Sequence, residues 1–260
     1  MIEWLQSLPA AGAGIVIVGG FVALTLIVGW VIGRIAPSDV RIEHNDLAGF
    51  ILAVIGVIYA VLLAFVAIGA WERFEAAEAS SYEEAASIAT VYRDAGEFPQ
   101  RERLRRKIAE YVELVVDAEW PAMLSGGRSA KVGHLLEQID AMVRELPVKT
   151  TAQQDVHVQM LQAMDVTLMD RERRLSIGAT GINPVMWVVL VLGAVSTVGF
   201  TYLFGFKQAL MQQLMIGSLG FVISLVLFLA VVLDYPYRGG VTVAPEAFKL
   251  VSELFRAIGP

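Results

Sequence analysis

Residues 47–71 read LAGFILAVIGVIYAVLLAFVAIGAW, and residues 72–94 continue as ERFEAAEASSYEEAASIATVYRD. The first part holds no Asp, Glu, Lys, Arg or His. About 25 apolar residues form an α-helix long enough to cross a hydrocarbon core about 30 Å thick. The second part has no proline, so nothing stops the helix as the sequence turns polar. A membrane helix that runs on into water is the expected result. Three more apolar runs, at 14–33, 182–206 and 214–233, are each roughly 20–25 residues long. Inside lipid the backbone must satisfy its own hydrogen bonds, so runs of this kind are helices. The expected fold is an all-α membrane protein: four transmembrane helices with a helical cytoplasmic insert between the second and third spans. The corresponding domains are an N-terminal helix pair (1–71), the insert (72–181), a C-terminal helix pair (182–233) and a tail (234–260).

Composition agrees. Apolar residues make up 56% of the chain and charged residues 18%, and the mean hydropathy is +0.61. The absence of cysteine excludes disulfides, thiolate metal sites and a cysteine nucleophile. A net charge of −6 points away from nucleic acid as a partner. The first eight residues carry Glu3 and no Lys or Arg, so the basic start of a cleavable signal peptide is missing.

Four spans put the N-terminus, insert and tail on one side. Near the spans that side has Arg73, Arg171, Arg173, Arg174, Arg238 and Lys249, while the two short loops opposite have Arg34, Arg41 and Lys207. The positive-inside rule then makes the insert and both termini cytoplasmic, as in a multi-pass protein of a bacterial inner membrane. Asn183-Pro184 is a helix start, and Asn45 or Asp46 can cap the second span.

The insert reads as helices. Leu104, Ile108, Tyr111, Val112 and Val115 form one apolar stripe that Pro121 is expected to end. Ser125-Gly126-Gly127 is a turn. Val132, Leu135, Leu136, Ile139 and Val143 form the next stripe, and Thr151 with Gln154 matches a capping box for the helix after it. Pro245, Phe248, Val251 and Phe255 predict an amphipathic helix on the tail. The acidic collar Glu72, Glu75 and Glu78, with Glu83 and Glu84 beyond it, reads first as a solvated face. Its sharper reading is an acidic ring around an ion path.

Enzyme motifs are weak. Gly12 to Gly20 lacks the third glycine and the preceding strand of a dinucleotide loop. His44-Asn45-Asp46 has too few ligand groups for a metal corner and is better read as a helix cap. Glu110, Glu113 and Asp117 share a solvated face without histidine partners. No nucleophile–base signature or P-loop is present. The reading is therefore no enzyme, no metal and no cofactor.

The second span carries more. Gly49, Ala53, Gly56, Ala60 and Ala64 lie at steps of three and four, a face that lets another helix come close. That partner is another helix of the same chain, or copies of this helix around an axis. Interleaved are Ile51, Ile55, Ile58, Leu62 and Phe65, an apolar set of the kind that gates pores by dewetting. Spans without mid-membrane ionisable groups argue against ion-coupled pumps and are compatible with a passive channel. Asp234 and Arg238, four apart around Pro236, are expected to pair across a tight turn and anchor the tail.

The segment His44-Asn45-Asp46-Leu47-Ala48-Gly49-Phe50, running through Ile58-Tyr59-Ala60 to Trp71-Glu72, resembles the hallmark of the bestrophin-like (DUF4239) family. So do Glu119-Trp120-Pro121 and Leu233-Asp234-Tyr235-Pro236-Tyr237-Arg238-Gly239. A more distant resemblance to true bestrophins implies a four-span homo-oligomer, pentameric, with cytosolic termini and the second helix lining an anion pore. It implies Asn45 and Asp46 at the outer mouth and the Ile51 to Phe65 set as a neck. The acidic calcium clasp of animal bestrophins is missing here, and the acidic collar favours cations. Beyond membrane lipid, the insert is a candidate surface for a protein partner. A non-conducting scaffold or accessory subunit is the alternative to a channel.

Overall fold

The computed structural model describes residues 9–35, 41–42, 45–206 and 208–259. His44 and Lys207 lie outside the described residues. Every regular element described is helical. α1 spans Ala10–Ile35 with a π turn at Ile15–Gly19. α2 runs unbroken over Asn45–Asp94, so the membrane helix does continue far into its polar half. α3 is Arg101–Leu114, passing through a π turn at Val115–Glu119 into α4, Trp120–Leu124. α5 is Ala130–Arg144, α6 Thr151–Ala179, α7 Pro184–Thr201, α8 Ala209–Leu233 and α9 Glu246–Ile258.

Among the described residues four helices, α1, α2, α7 and α8, are long and apolar enough to cross a membrane. The chain divides into two units. The first comprises residues 1–72, 182–234 and 239–241, and holds all four apolar stretches. Its core is Tyr59, Leu63 and Val66 of α2 with Leu190, Ala194 and Val198 of α7 and Ile216, Ile223 and Leu227 of α8. The second comprises residues 73–181, 235–238 and 242–260. Its core joins Ile88 and Val91 of α2 to Leu104, Ile108 and Tyr111 of α3, Leu136 and Ile139 of α5, Met160 and Met164 of α6, and Phe248 and Phe255 of α9. The tail helix is thus part of the same core as the insert.

Three local expectations shift. Pro121 does not end a helix. It opens α4, where its missing N–H is harmless, and the π turn just before it absorbs the break. The cap of α6 is Thr150, one residue earlier than Thr151: its hydroxyl accepts from Gln153 N–H at 3.2 Å. Gln153 Oε1 accepts from Lys149 N–H at 3.0 Å, one residue before the cap, so Gln153 takes the place expected of Gln154. The third span ends at Thr201 instead of 206, about 27 Å of helix at 1.5 Å per residue. The Asn183 cap is as expected, accepting from Val185 N–H at 2.9 Å.

Candidate functional site

The second span offers three faces. Ala48, Tyr59, Leu63, Val66 and Ala70 are buried and form its packed edge. One flank carries Ile51, Ile58, Leu62 and Phe65, 36%, 59%, 39% and 69% exposed, with Ile55 half-buried. The other carries the small residues: Ala53, Ala60 and Ala64 are exposed, Gly49 and Gly56 half-buried. The small-residue face is therefore not the surface that packs within the chain. Tyr59, Leu63 and Val66 do that instead, sharing a core with Leu190, Ala194 and Val198 of α7.

At one end of this span Asn45 clasps the loop that follows α7. Its Nδ2 donates to Gly205 O at 2.9 Å, and its Oδ1 accepts Gly205 N–H at 3.0 Å. Arg41 Nη1 donates to Tyr202 O at 3.1 Å, and Gln212 Nε2 to Phe204 O at 3.2 Å. Those bonds satisfy carbonyls that the short α7 leaves behind. Asp46, beside Asn45, is exposed. At the other end Glu72, Glu75, Glu78 and Glu83 occupy exposed positions of α2.

Glu84 does not belong with them. It falls in register with Ala77, Ser80, Ser81 and Ile88 on the buried stripe and is fully buried. Arg174 meets it with two hydrogen bonds, Nε to Oε2 at 2.7 Å and Nη2 to Oε1 at 3.0 Å. The same Nη2 donates to Glu119 Oε2 at 2.8 Å, and Arg171 binds Glu119 at 2.5 and 3.2 Å. Tyr111 donates its hydroxyl to Glu84 Oε1 at 2.6 Å. Two carboxylates and two guanidiniums thus cancel in charge inside the second core. Each gains short charge-assisted bonds, without which a buried ion would cost several kcal/mol.

Trp120 and Phe248 flank the Arg174 guanidinium, with ring centres 5.1 and 5.5 Å away. Burial opposes the Arg174 charge, but the Glu84 carboxylate outweighs it, and the pKa rises above the ordinary arginine value. Burial, reinforced by the Glu84 charge, pushes the Tyr111 phenol well above its usual range. The π turn at Val115–Glu119 widens the helix by one residue and brings Glu119 onto the inner face. Arg171 and Arg174, counted above among the basic residues near the spans, are instead consumed in this core.

The remaining motif residues also act as anchors. Asp234 is buried, and its Oδ1 accepts Ile182 N–H at 2.5 Å. Tyr237 donates to Ala77 O at 2.8 Å and meets Ser81 Oγ at 3.1 Å. Trp120 Nε1 donates to Val243 O at 3.2 Å. Arg238 lies over the Tyr235 ring at 4.8 Å, with Nη2 3.5 Å from Gly178 O. Its guanidinium fills the space beside Gly126, whose φ of 77° suits glycine. A surface groove of about 650 Å³ beside α3 and α9 mixes Arg105, Arg106 and Arg256 with Glu102 and Glu113, so it presents no single sign of charge. Among the described residues no three His, Cys, Asp or Glu side chains gather as a metal site.

The bestrophin-like domain matches residues 19–248. This chain belongs to the bestrophin-like family. A point-substituted bacterial bestrophin homologue from Klebsiella pneumoniae shares its fold, with TM-score 0.67 and 12% identity over 92% of this chain and 99% of that one. A second substituted form has TM-score 0.63 and 11% identity over 89% and 98%. A further solved membrane protein has TM-score 0.64 and 11% identity over 89% and 96%. Among curated proteins none matches. Glu119, Trp120, Asp234 and Tyr237, from the stretches that resemble the family, all bond within the chain.

Sequence reasoning missed the Glu84–Arg174–Glu119–Arg171 cluster. A signal was available: Glu84 sits on an apolar stripe of α2, Glu119 four residues beyond Val115, and Arg171 and Arg174 share one face three residues apart.

Proposed function

We propose that this bestrophin-like protein is a homo-oligomeric, passive ion channel of the cytoplasmic membrane, with the second span lining its path. One observation carries the reading. The second span has two uncovered flanks on either side of its packed edge, one apolar and bulky, one small, with no ionisable side chain between them. Small residues suit contact between neighbouring copies. Ile51, Ile55, Ile58, Leu62 and Phe65 then serve as a neck, and Asn45 and Asp46 lie at its outer mouth. The exposed carboxylates Glu72, Glu75 and Glu78 repeat around the inner mouth and favour cations. A ring of five is the expectation that follows from the family. With Arg171 and Arg174 internal, Arg73, Arg173, Arg238 and Lys249 still outnumber Arg34, Arg41 and Lys207, which supports a cytoplasmic insert and termini.

Native mass spectrometry from nanodiscs, followed by planar-bilayer recording, tests the proposal. Rings of four or more copies with single-channel currents are expected. A monomer or dimer leaves no axial path and replaces the channel with a scaffold whose insert binds a partner.

A further inference from the structure

Tyr59 stands at the middle of the packed edge of α2 and is 4% exposed. Its hydroxyl donates to the Leu190 carbonyl of α7 at 3.0 Å. Its ring occupies the space that Gly193 leaves open: a Cβ at 193 would collide with it. One contact is polar and the other steric, and they fall on adjacent turns of α7. Between helices in lipid there is no hydrophobic driving force, so aliphatic contacts alone define the roll of a helix poorly. A phenol that must keep its acceptor, with its ring in the space a Cβ at 193 would take, defines it sharply.

The residues on either side give this roll a consequence. At about 100° per residue, Ile58 and Ala60 point to opposite flanks of Tyr59. Ile51, Leu62 and Phe65 share the Ile58 flank, and Ala53 and Ala64 the Ala60 flank, by the same spacing. Any roll about this point moves both flanks together. We propose that Tyr59, seated against Gly193 and tied to the Leu190 carbonyl, is the positioning residue that fixes the rotation of the second span. Its effect on conduction rests on the channel reading above; its effect on rotation does not.

The chain has no cysteine, so single cysteines at Val57, Ile58, Ala60, Val61 and Leu62 can each carry a nitroxide in otherwise native protein in liposomes. All five positions are exposed in the chain. The phase of oxygen and aqueous-relaxant accessibility along the five sites reads the helix azimuth directly. Gly193→Ala should shift that phase by half a residue or more, about 50°. Tyr59→Phe, which keeps the ring and loses the tether, should bring the accessibilities at Ile58 and Ala60 about twofold closer. In the double variant the two effects should not add. An unshifted phase in folded Gly193→Ala overturns the proposal. If that variant does not fold, an unchanged Tyr59→Phe profile does so. Lowered thermal stability without a phase change means a structural role only and also overturns it. A phase shift in a protein that carries no current would remove the channel reading and leave the rotational assignment standing.

Discussion

Arg174 is the residue on which the second core depends most. It holds Glu84 and Glu119 together with three hydrogen bonds and is itself fully buried. Arg174→Met is close in volume and leaves buried Glu84 with Tyr111 and buried Glu119 with Arg171. Breaking a buried pair in this way costs about 3–5 kcal/mol, or about 6–20 °C in midpoint for a chain of this size. Thermal unfolding of the detergent-solubilised protein measures it, with exposed Glu78→Gln as a near-neutral control; equal midpoints for the two variants would refute the assignment. Tyr111 adds a pH dependence. Its phenol resists ionisation when folded, first through burial and then through the Glu84 charge, whereas the unfolded phenol ionises near pH 10.0. Unfolding therefore releases a proton above that pH. The contribution is complete below pH 10 and is lost as pH rises beyond it. Tyr111→Phe should cost about 1.5–3 kcal/mol at pH 7, the range for a bond to a charged acceptor. It should also flatten the loss of stability above pH 10. An alkaline slope identical to the parent's would show that another group titrates there.

At the scale of elements, hydropathy made the spans legible, and helical periodicity made the insert stripes legible. The length of α2 followed from the absence of any breaker between Leu47 and Asp94. The π turn did not, since Val115 to Glu119 is ordinary helical sequence; only the need to bring Glu119 inward and to accommodate Pro121 selects it. Glu84 was misread as surface because a charge run looks solvated, and its partner lies 90 residues away. The faces of the second span were legible as faces, but which one packs inward was decided by Gly193 and Leu190, on a helix no local pattern links to Tyr59. The early end of α7 depends on similar distant help, from Asn45, 160 residues from Gly205. Asn45→Ala removes both bonds to Gly205. Hydrogen exchange at the Gly205 amide should then accelerate by about tenfold, the equivalent of about 1.4 kcal/mol, while amides within α7 hold their rates. Unchanged exchange at Gly205 would mean that Arg41 and Gln212 hold the loop unaided.

For the whole molecule, the deciding quantity is how little of each span the chain covers for itself. In the most apolar 18-residue windows the buried share is 11% for the first span, 17% for the second, 28% for the third and 39% for the fourth. Lipid can cover aliphatic surface at no cost, but it gains nothing from a stripe of Ala53, Ala60 and Ala64, whereas a neighbouring helix does. In the proposed oligomer, packing of copies along that stripe would turn the opposite flank toward a shared space. In that proposed arrangement the exposed residues Glu72, Glu75 and Glu78, which follow the span on the same helix, would recur once per copy. Charge rings bias the ions that pass. Substituting all three by Gln should move the zero-current potential in a KCl gradient away from the potassium equilibrium value, toward that of chloride, while subunit number stays fixed. Raising the salt should shrink the difference between parent and variant, since exposed charges are screened within about 10 Å at 0.1 M. If parent and variant share one reversal potential at low salt, the collar faces bulk water, and selectivity has to arise at the neck.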